Sequence, residues 1–147
     1  MLKKAFVVII GLSLIACTSI KVRPVDDQLQ VRHMCIQSNP KVIRGDFLSV
    51  LERGFQKHGI TTEVYSGKSP EYCEFTTTYT VRQTWDMAMV LADAEIWIHQ
   101  DKRQVAYANY HLKGGGGLSL MKWQGAEKKI FPVMDALLEE YPSTEGM

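Results

Sequence analysis

The sequence predicts an α+β fold: a two-layer sandwich of a mixed, mostly antiparallel sheet of about five strands, with two helices on one face. Three observations predict it. Several short stretches alternate apolar and polar residues, two longer ones carry apolar residues at helical spacing, and two cysteines, Cys35 and Cys73, constrain which strands are neighbours.

The chain opens with Lys3 and Lys4 and an apolar run from Ala5 to Ala16, the layout of a signal peptide. The run is well short of the roughly 20 residues a membrane-spanning helix needs. It ends in Leu14, Ile15, Ala16 and Cys17, which resemble a bacterial lipoprotein lipobox. That resemblance implies cleavage before Cys17, a diacylglycerol on its thiol and a fatty acyl chain, typically palmitate, on its new amino group. The anchor would be durable, because each buried CH2 contributes about 0.8 kcal/mol. Thr18 and Ser19, standing where an Asp would favour the inner membrane, imply delivery to the periplasmic face of the outer membrane.

Loss of residues 1–16 removes two of 17 basic residues, leaving 15 against 16 acidic and a formal charge of −1. No basic stripe is present to neutralise phosphates, so nucleic acid is not an expected partner. The remaining length suits one domain. Residues 17–28, with Pro24 and an Asp26-Asp27 pair, read as the lipidated Cys and a flexible tether, 29–141 as the domain, and 142–147 as a disordered tail. In an exported chain the later cysteines read as a disulfide rather than a metal site or a catalytic thiol.

Within the domain, Leu29, Val31, His33 and Cys35 alternate with Gln30, Arg32, Met34 and Ile36 in a first strand that Asn39-Pro40 ends. Phe47, Val50, Leu51 and Phe55 fall at helical spacing over 45–58, with Asp46 near the positive end and Gly59 as the stop. Residues 60–65 form a second strand and 66–71 a loop. A third strand over 73–84 is dense in Thr and aromatics. Residues 91–99 and 104–112 form a hairpin through 100–103, and 85–90 read as a bulged continuation of a neighbour. A final helix over 122–141 turns Ile130, Val133, Met134, Leu137, Leu138 and Tyr141 to one side, and Pro132 requires a kink or a restart.

A right-handed crossover makes the second strand parallel to the first. A third strand antiparallel to the first on its other side would bring Cys35 beside Cys73, giving strand order 2-1-3-4-5. Parity then turns Leu29, Val31, His33, Cys35, Phe75, Tyr79 and Val81 inward. Gln30, Arg32, Thr76, Thr78 and Thr80 face outward, with Trp97, Tyr107 and His111 on the last two strands. Trp97, Tyr107, Arg32 and Thr78 are the candidate binding surface, since exposed aromatics are enriched where proteins bind each other.

The anchor and the order of elements resemble a group of bacterial envelope lipoproteins: the lipopolysaccharide-assembly lipoprotein of the outer membrane, auxiliary lipoproteins of ABC transport systems, and activators of cell-wall synthases. The stretch from Ala108 through His111, Leu112 and Gly114 to Leu118, Lys122 and Trp123 also resembles small lipoproteins of Gram-negative bacteria. Both resemblances imply a non-catalytic adaptor, anchored in the membrane and bound to an envelope protein. A lipid or glycolipid carrier, or an inhibitor of a lytic enzyme acting through the Ser66–Glu71 loop, are the alternatives.

No pattern points to a cofactor, a metal or an enzyme. His33, His58, His99 and His111 lack metal spacing, His33 reading as a core residue and His58 as a cation at a helix end. Asp93 and Glu95 share a strand face and could pair as acids. The Gly114–Gly117 run, flanked by Lys113 and Lys122, could cradle an anion but lacks phosphate-loop spacing.

Overall fold

The computed structural model describes residues 18–116 and 120–144. The expected leader, Cys17, the end of the glycine run and the last three residues lie outside them. In chain order come β1 (Thr18–Arg23), β2 (His33–Gln37), α1 (Phe47–Lys57), β3 (Thr61–Tyr65), β4 (Phe75–Trp85), β5 (Met89–Gln100), β6 (Arg103–Leu112) and α2 (Ala126–Leu137). The strands make one sheet of order β1-β6-β5-β4-β2-β3. Five of them stand in the expected order, and both helices pack on one face, so the α+β sandwich is the observed fold.

The sixth strand corrects the sequence reading. Residues 18–23 are not a tether: they pair antiparallel with β6, Thr18 opposite Leu112 and Arg23 opposite Tyr107. Ile20 and Val22 fall opposite Tyr110 and Ala108 on the helix-covered face, which supplies the apolar contact a short edge strand needs. After Pro24 the chain is strapped to the far end of α2. Val25 N donates to the Leu137 carbonyl at 2.9 Å, and Tyr141 Oη donates to the Asp26 carbonyl at 2.9 Å. At the other terminus, Thr144 N donates to the Lys57 carbonyl at 2.8 Å, so order extends into the expected tail.

Two further expectations fail together in β2. A turn over Asp27–Leu29 closes with Gln30 in the left-handed region, at φ 50, so the strand begins only at His33. That break resets the alternation: Met34 and Ile36 enter the core, while His33 and Cys35 face the opposite side. Secondly, β2 pairs parallel with β3, as expected, but β4 is parallel to β2 and not antiparallel, with Cys35 opposite Glu63 on one side and Thr76 on the other. The connection from β3 to β4 must therefore cross back over β2, and it does so on the face the helices leave open. Gln37 Nε2 donates to the Gly67 carbonyl at 3.1 Å, and Tyr72 Oη donates to the Glu63 carboxylate. The Cys35–Cys73 disulfide, Cα atoms 6.0 Å apart, staples that crossover to the sheet. Closing a loop of 38 residues' separation stabilises the fold by about 4 kcal/mol on the chain-entropy model.

The core lies between sheet and helices. Large residues face small ones across β5 and β6, Ile96 opposite Ala108 and Ile98 opposite Ala106, leaving room for α2 to settle on β6 and β1. Phe47, Phe55, Ile130 and Met134 fill the interlayer space and are fully buried. The C-terminal helix is shorter than 122–141: a 3-10 turn over Leu120–Trp123 comes first, and α2 then runs unbroken across Pro132. The break falls upstream, at Gln124 and Gly125. His58 is buried where α1 ends and joins the helices, its Nε2 2.8 Å from the acceptor Asp135 Oδ1 and its Nδ1 against the Tyr141 carbonyl.

The helices meet at Gly54. An added Cβ there would stand 2.8 Å from Met134 Cγ, well inside normal contact. Alanine is intrinsically the better helix former by about 1 kcal/mol, but the clash outweighs it. Gly54→Ala should lower stability by about 1–3 kcal/mol, read by denaturant unfolding, and adding Met134→Ala should remove the steric part of that loss.

Candidate functional site

The open face of the sheet is divided in two by the stapled crossover. Over β2 and β3 it is covered by residues 66–74, which bury Cys35 completely. From β4 to β1 the helices leave it bare. Cross-strand rows run over this bare half, and one consists of Thr78, Trp97, Tyr107 and Arg23, each opposite the next. The Trp97 and Tyr107 rings pack with centroids 5.9 Å apart at a 44° tilt. Arg23 is exposed at the row's outer end, and one of its guanidinium nitrogens reaches the Gln104 carbonyl at 3.5 Å.

The neighbouring rows are polar and internally bonded. Tyr107 Oη donates to Glu95 Oε1 at 2.9 Å. His111 Nδ1 lies 2.9 Å from Asp93 Oδ2, and Asn109 Nδ2 donates to Asp93 Oδ1 at 3.4 Å. Burial, and then the Glu95 carboxylate, push the Tyr107 phenol up to about 12. Asp93 and Glu95 are each engaged by different cross-strand partners, Asp93 by His111 and Asn109 and Glu95 by Tyr107. The face presents an aromatic centre framed by hydrogen-bonded polar groups.

Three of the four candidate surface residues, Thr78, Trp97 and Tyr107, come together in one row. Arg32 does not join them, because it precedes β2, exposed at the β2–β3 end of the sheet. Arg23 joins the row instead at its opposite end, beside Tyr107. The signal for Arg23 was present in the Thr18–Arg23 alternation, hidden by the Pro24 and double Asp that follow.

His33 is not a core residue. It stands on the crossover side of β2, Nδ1 2.7 Å from Thr61 Oγ1 and Nε2 3.5 Å from Glu63 Oε2. His33, Cys35 and Glu63 gather their donor atoms within 4.8 Å, but the Cys35 sulfur is committed to the disulfide and offers no thiolate. Beside the crossover, a surface groove of about 350 Å³ is lined by Pro70, Glu74, Thr76, His99 and Lys102 among others. Of the glycine run, Lys113–Gly116 form a 3-10 turn with Gly114 at φ +54, where a side chain would be strained. Lys122 is not held out beside it: its ammonium is buried against the Asp86 carboxylate.

No family model and no curated protein matches the chain. Solved structures do. The PelC dodecamer from Paraburkholderia phytofirmans matches with a TM-score of 0.54 at 9% identity, over 82% of this chain and 98% of that one. A single-substitution PelC dodecamer from the same organism gives 0.52 at 7% identity, over 87% and 99%. The likeness is one of fold.

The raised Tyr107 phenol ties the face to stability. A folded-state value above the ordinary 10.0 means that its contribution is fully present below pH 10 and is lost as pH climbs toward about 12. In alkaline denaturant titrations, Tyr107→Phe should therefore lose less stability between pH 10 and 12 than the parent chain.

Proposed function

We propose that the chain is a lipid-anchored, non-catalytic binding module of the bacterial cell envelope, held by Cys17 at the periplasmic face of the outer membrane, whose bare sheet face receives an envelope protein. The row Thr78–Trp97–Tyr107–Arg23 carries this reading. It sets two amphipathic rings and a guanidinium, residue types that dominate protein contacts, in line on a flat, pre-ordered surface. The formed disulfide fits an oxidising compartment. Among the described residues, Phe47, Phe55, Ile130 and Met134 fill the space between sheet and helices, which supports an adaptor over a lipid carrier.

Self-association is the second reading, favoured by a specific likeness: the PelC structures that share this fold are dodecamers. Here the partner on the sheet face, or along the β1 edge, would be another copy of the chain.

A photo-crosslinking residue placed at position 97, in cells bearing the full chain, should capture one envelope protein, whereas the same residue at the exposed Glu140 should not. Trp97→Ala should weaken that complex by about 2 kcal/mol, roughly thirtyfold, without unfolding the domain. Adducts only between copies would favour self-association, and no position-97 adduct at all would remove the sheet face as the binding surface.

A further inference from the structure

We infer that the end of the domain bearing the β4–β5 turn enters the lipid bilayer, making this an anchored protein that also docks through its own side chains. The inference rests on the lipid-anchor reading and goes beyond it by assigning a membrane-contacting surface.

The starting point is the missing tether. Because Thr18 already pairs with Leu112, no slack separates residue 17 from the sheet. An acylated Cys17 must sit within one residue's length of the end of β1, and that end must meet the membrane. The β4–β5 hairpin continues past this level: the β5–β6 ladder ends at Asp93 opposite His111, while the hairpin turn lies at Asp86–Ala88. At about 3.3 Å per residue the turn overshoots Thr18 by roughly 15 Å. A bilayer's headgroup layer is only about 5–8 Å deep on each side, so an anchored Cys17 carries the turn toward the acyl chains.

The side chains at this end suit that position. Trp85 is 71% exposed, Met87 83% and Met89 53%, all on the hairpin, with Leu120 at 76% and Trp123 at 40% on the neighbouring turn. Ile43, 92% exposed, projects from the β2–α1 loop, which borders Met89 and Arg82 at the same end. Tryptophan, methionine and leucine exposed together are an anomaly on a water-facing surface and ordinary at a membrane boundary. The two apolar segments are held together: Trp123 Nε1 donates to the Asp86 carbonyl at 2.8 Å, and Lys122 engages the Asp86 carboxylate. Lys129 Nζ donates to the Leu91 carbonyl at 3.3 Å and to that of Lys122, tying the Leu120–Trp123 turn to β5. Exposed Lys41, Arg82 and Lys113 flank the patch and match anionic headgroups.

The test uses the full chain purified from bacterial membranes and its Cys17→Ser form, each mixed with phosphatidylethanolamine–phosphatidylglycerol vesicles carrying brominated acyl chains. Tryptophan emission should be quenched in the acylated form. Trp97→Phe should leave the quenching, and Trp85→Phe with Trp123→Phe should abolish it. Met87 sits at φ 57, a conformation Asp tolerates, so Met87→Asp should keep the fold yet cut vesicle partitioning of the Cys17→Ser form by roughly tenfold. Vesicle-bound acylated protein with unquenched Trp85 and Trp123 would overturn the inference, as would burial of those rings in a self-assembled oligomer. Mass spectrometry finding Cys17 unmodified would remove the anchor alone; quenching of the unacylated chain at saturating vesicles would still support the docking surface, and its absence would overturn it.

Discussion

The antiparallel ladder between β1 and β6 is the constraint on which the rest depends. It turns the residue after Cys17 into part of the sheet, with Thr18 opposite Leu112 and each following residue in register as far as Arg23. Its inward residues, Ile20 and Val22, close the apolar layer beside α2. Its outward residues, Lys21 and Arg23, extend the bare face and place charge along an edge that would otherwise invite another strand. The ladder also fixes orientation, since whatever holds residue 17 holds that end of the sheet.

The second organising device is the disulfide. Three parallel strands, β2, β3 and β4, require two crossovers. The first is α1 on the covered face, and the second is the irregular 66–74 segment on the other. A segment without secondary structure loses little by lifting away, and the Cys35–Cys73 bond prevents it. The consequence is two unlike parts of the open side: a roofed part over β2 and β3, and a part from β4 to β1, uncovered among the described residues, where the aromatic row lies.

Much of this was legible in the sequence because period-two alternation is unambiguous in long strands. Thr76, Thr78 and Thr80 against Phe75, Thr77 and Tyr79 declare two faces, and so do Trp97 and Tyr107 beside Ile96, Ile98, Ala106 and Ala108. Helix positions followed from spacing in the same way. What escaped were features decided by one or two residues. A single left-handed Gln30 shifted β2 by one position and exchanged the faces of His33, Cys35 and Met34, taking Arg32 out of the site. Parallel and antiparallel placement of β4 both bring Cys35 near Cys73, so the disulfide was predictable and the strand direction was not. β1 offers only two apolar residues in six, too few to stand out from a linker until β6 is present to receive them.

The fold presents two distinct surfaces: a sheet face bearing the Trp97–Tyr107 pair and an apolar end next to the first residue of β1. Both are rigid only if β1 is a strand and not a leash. Hydrogen exchange on the full chain in detergent or vesicles measures this directly. The alternate amides of Thr18–Arg23 that point at β6 should exchange as slowly as those of β6 itself, while the others, on the open edge, exchange freely. Uniformly fast exchange from Thr18 to Arg23 would contradict it, returning the segment to a tether.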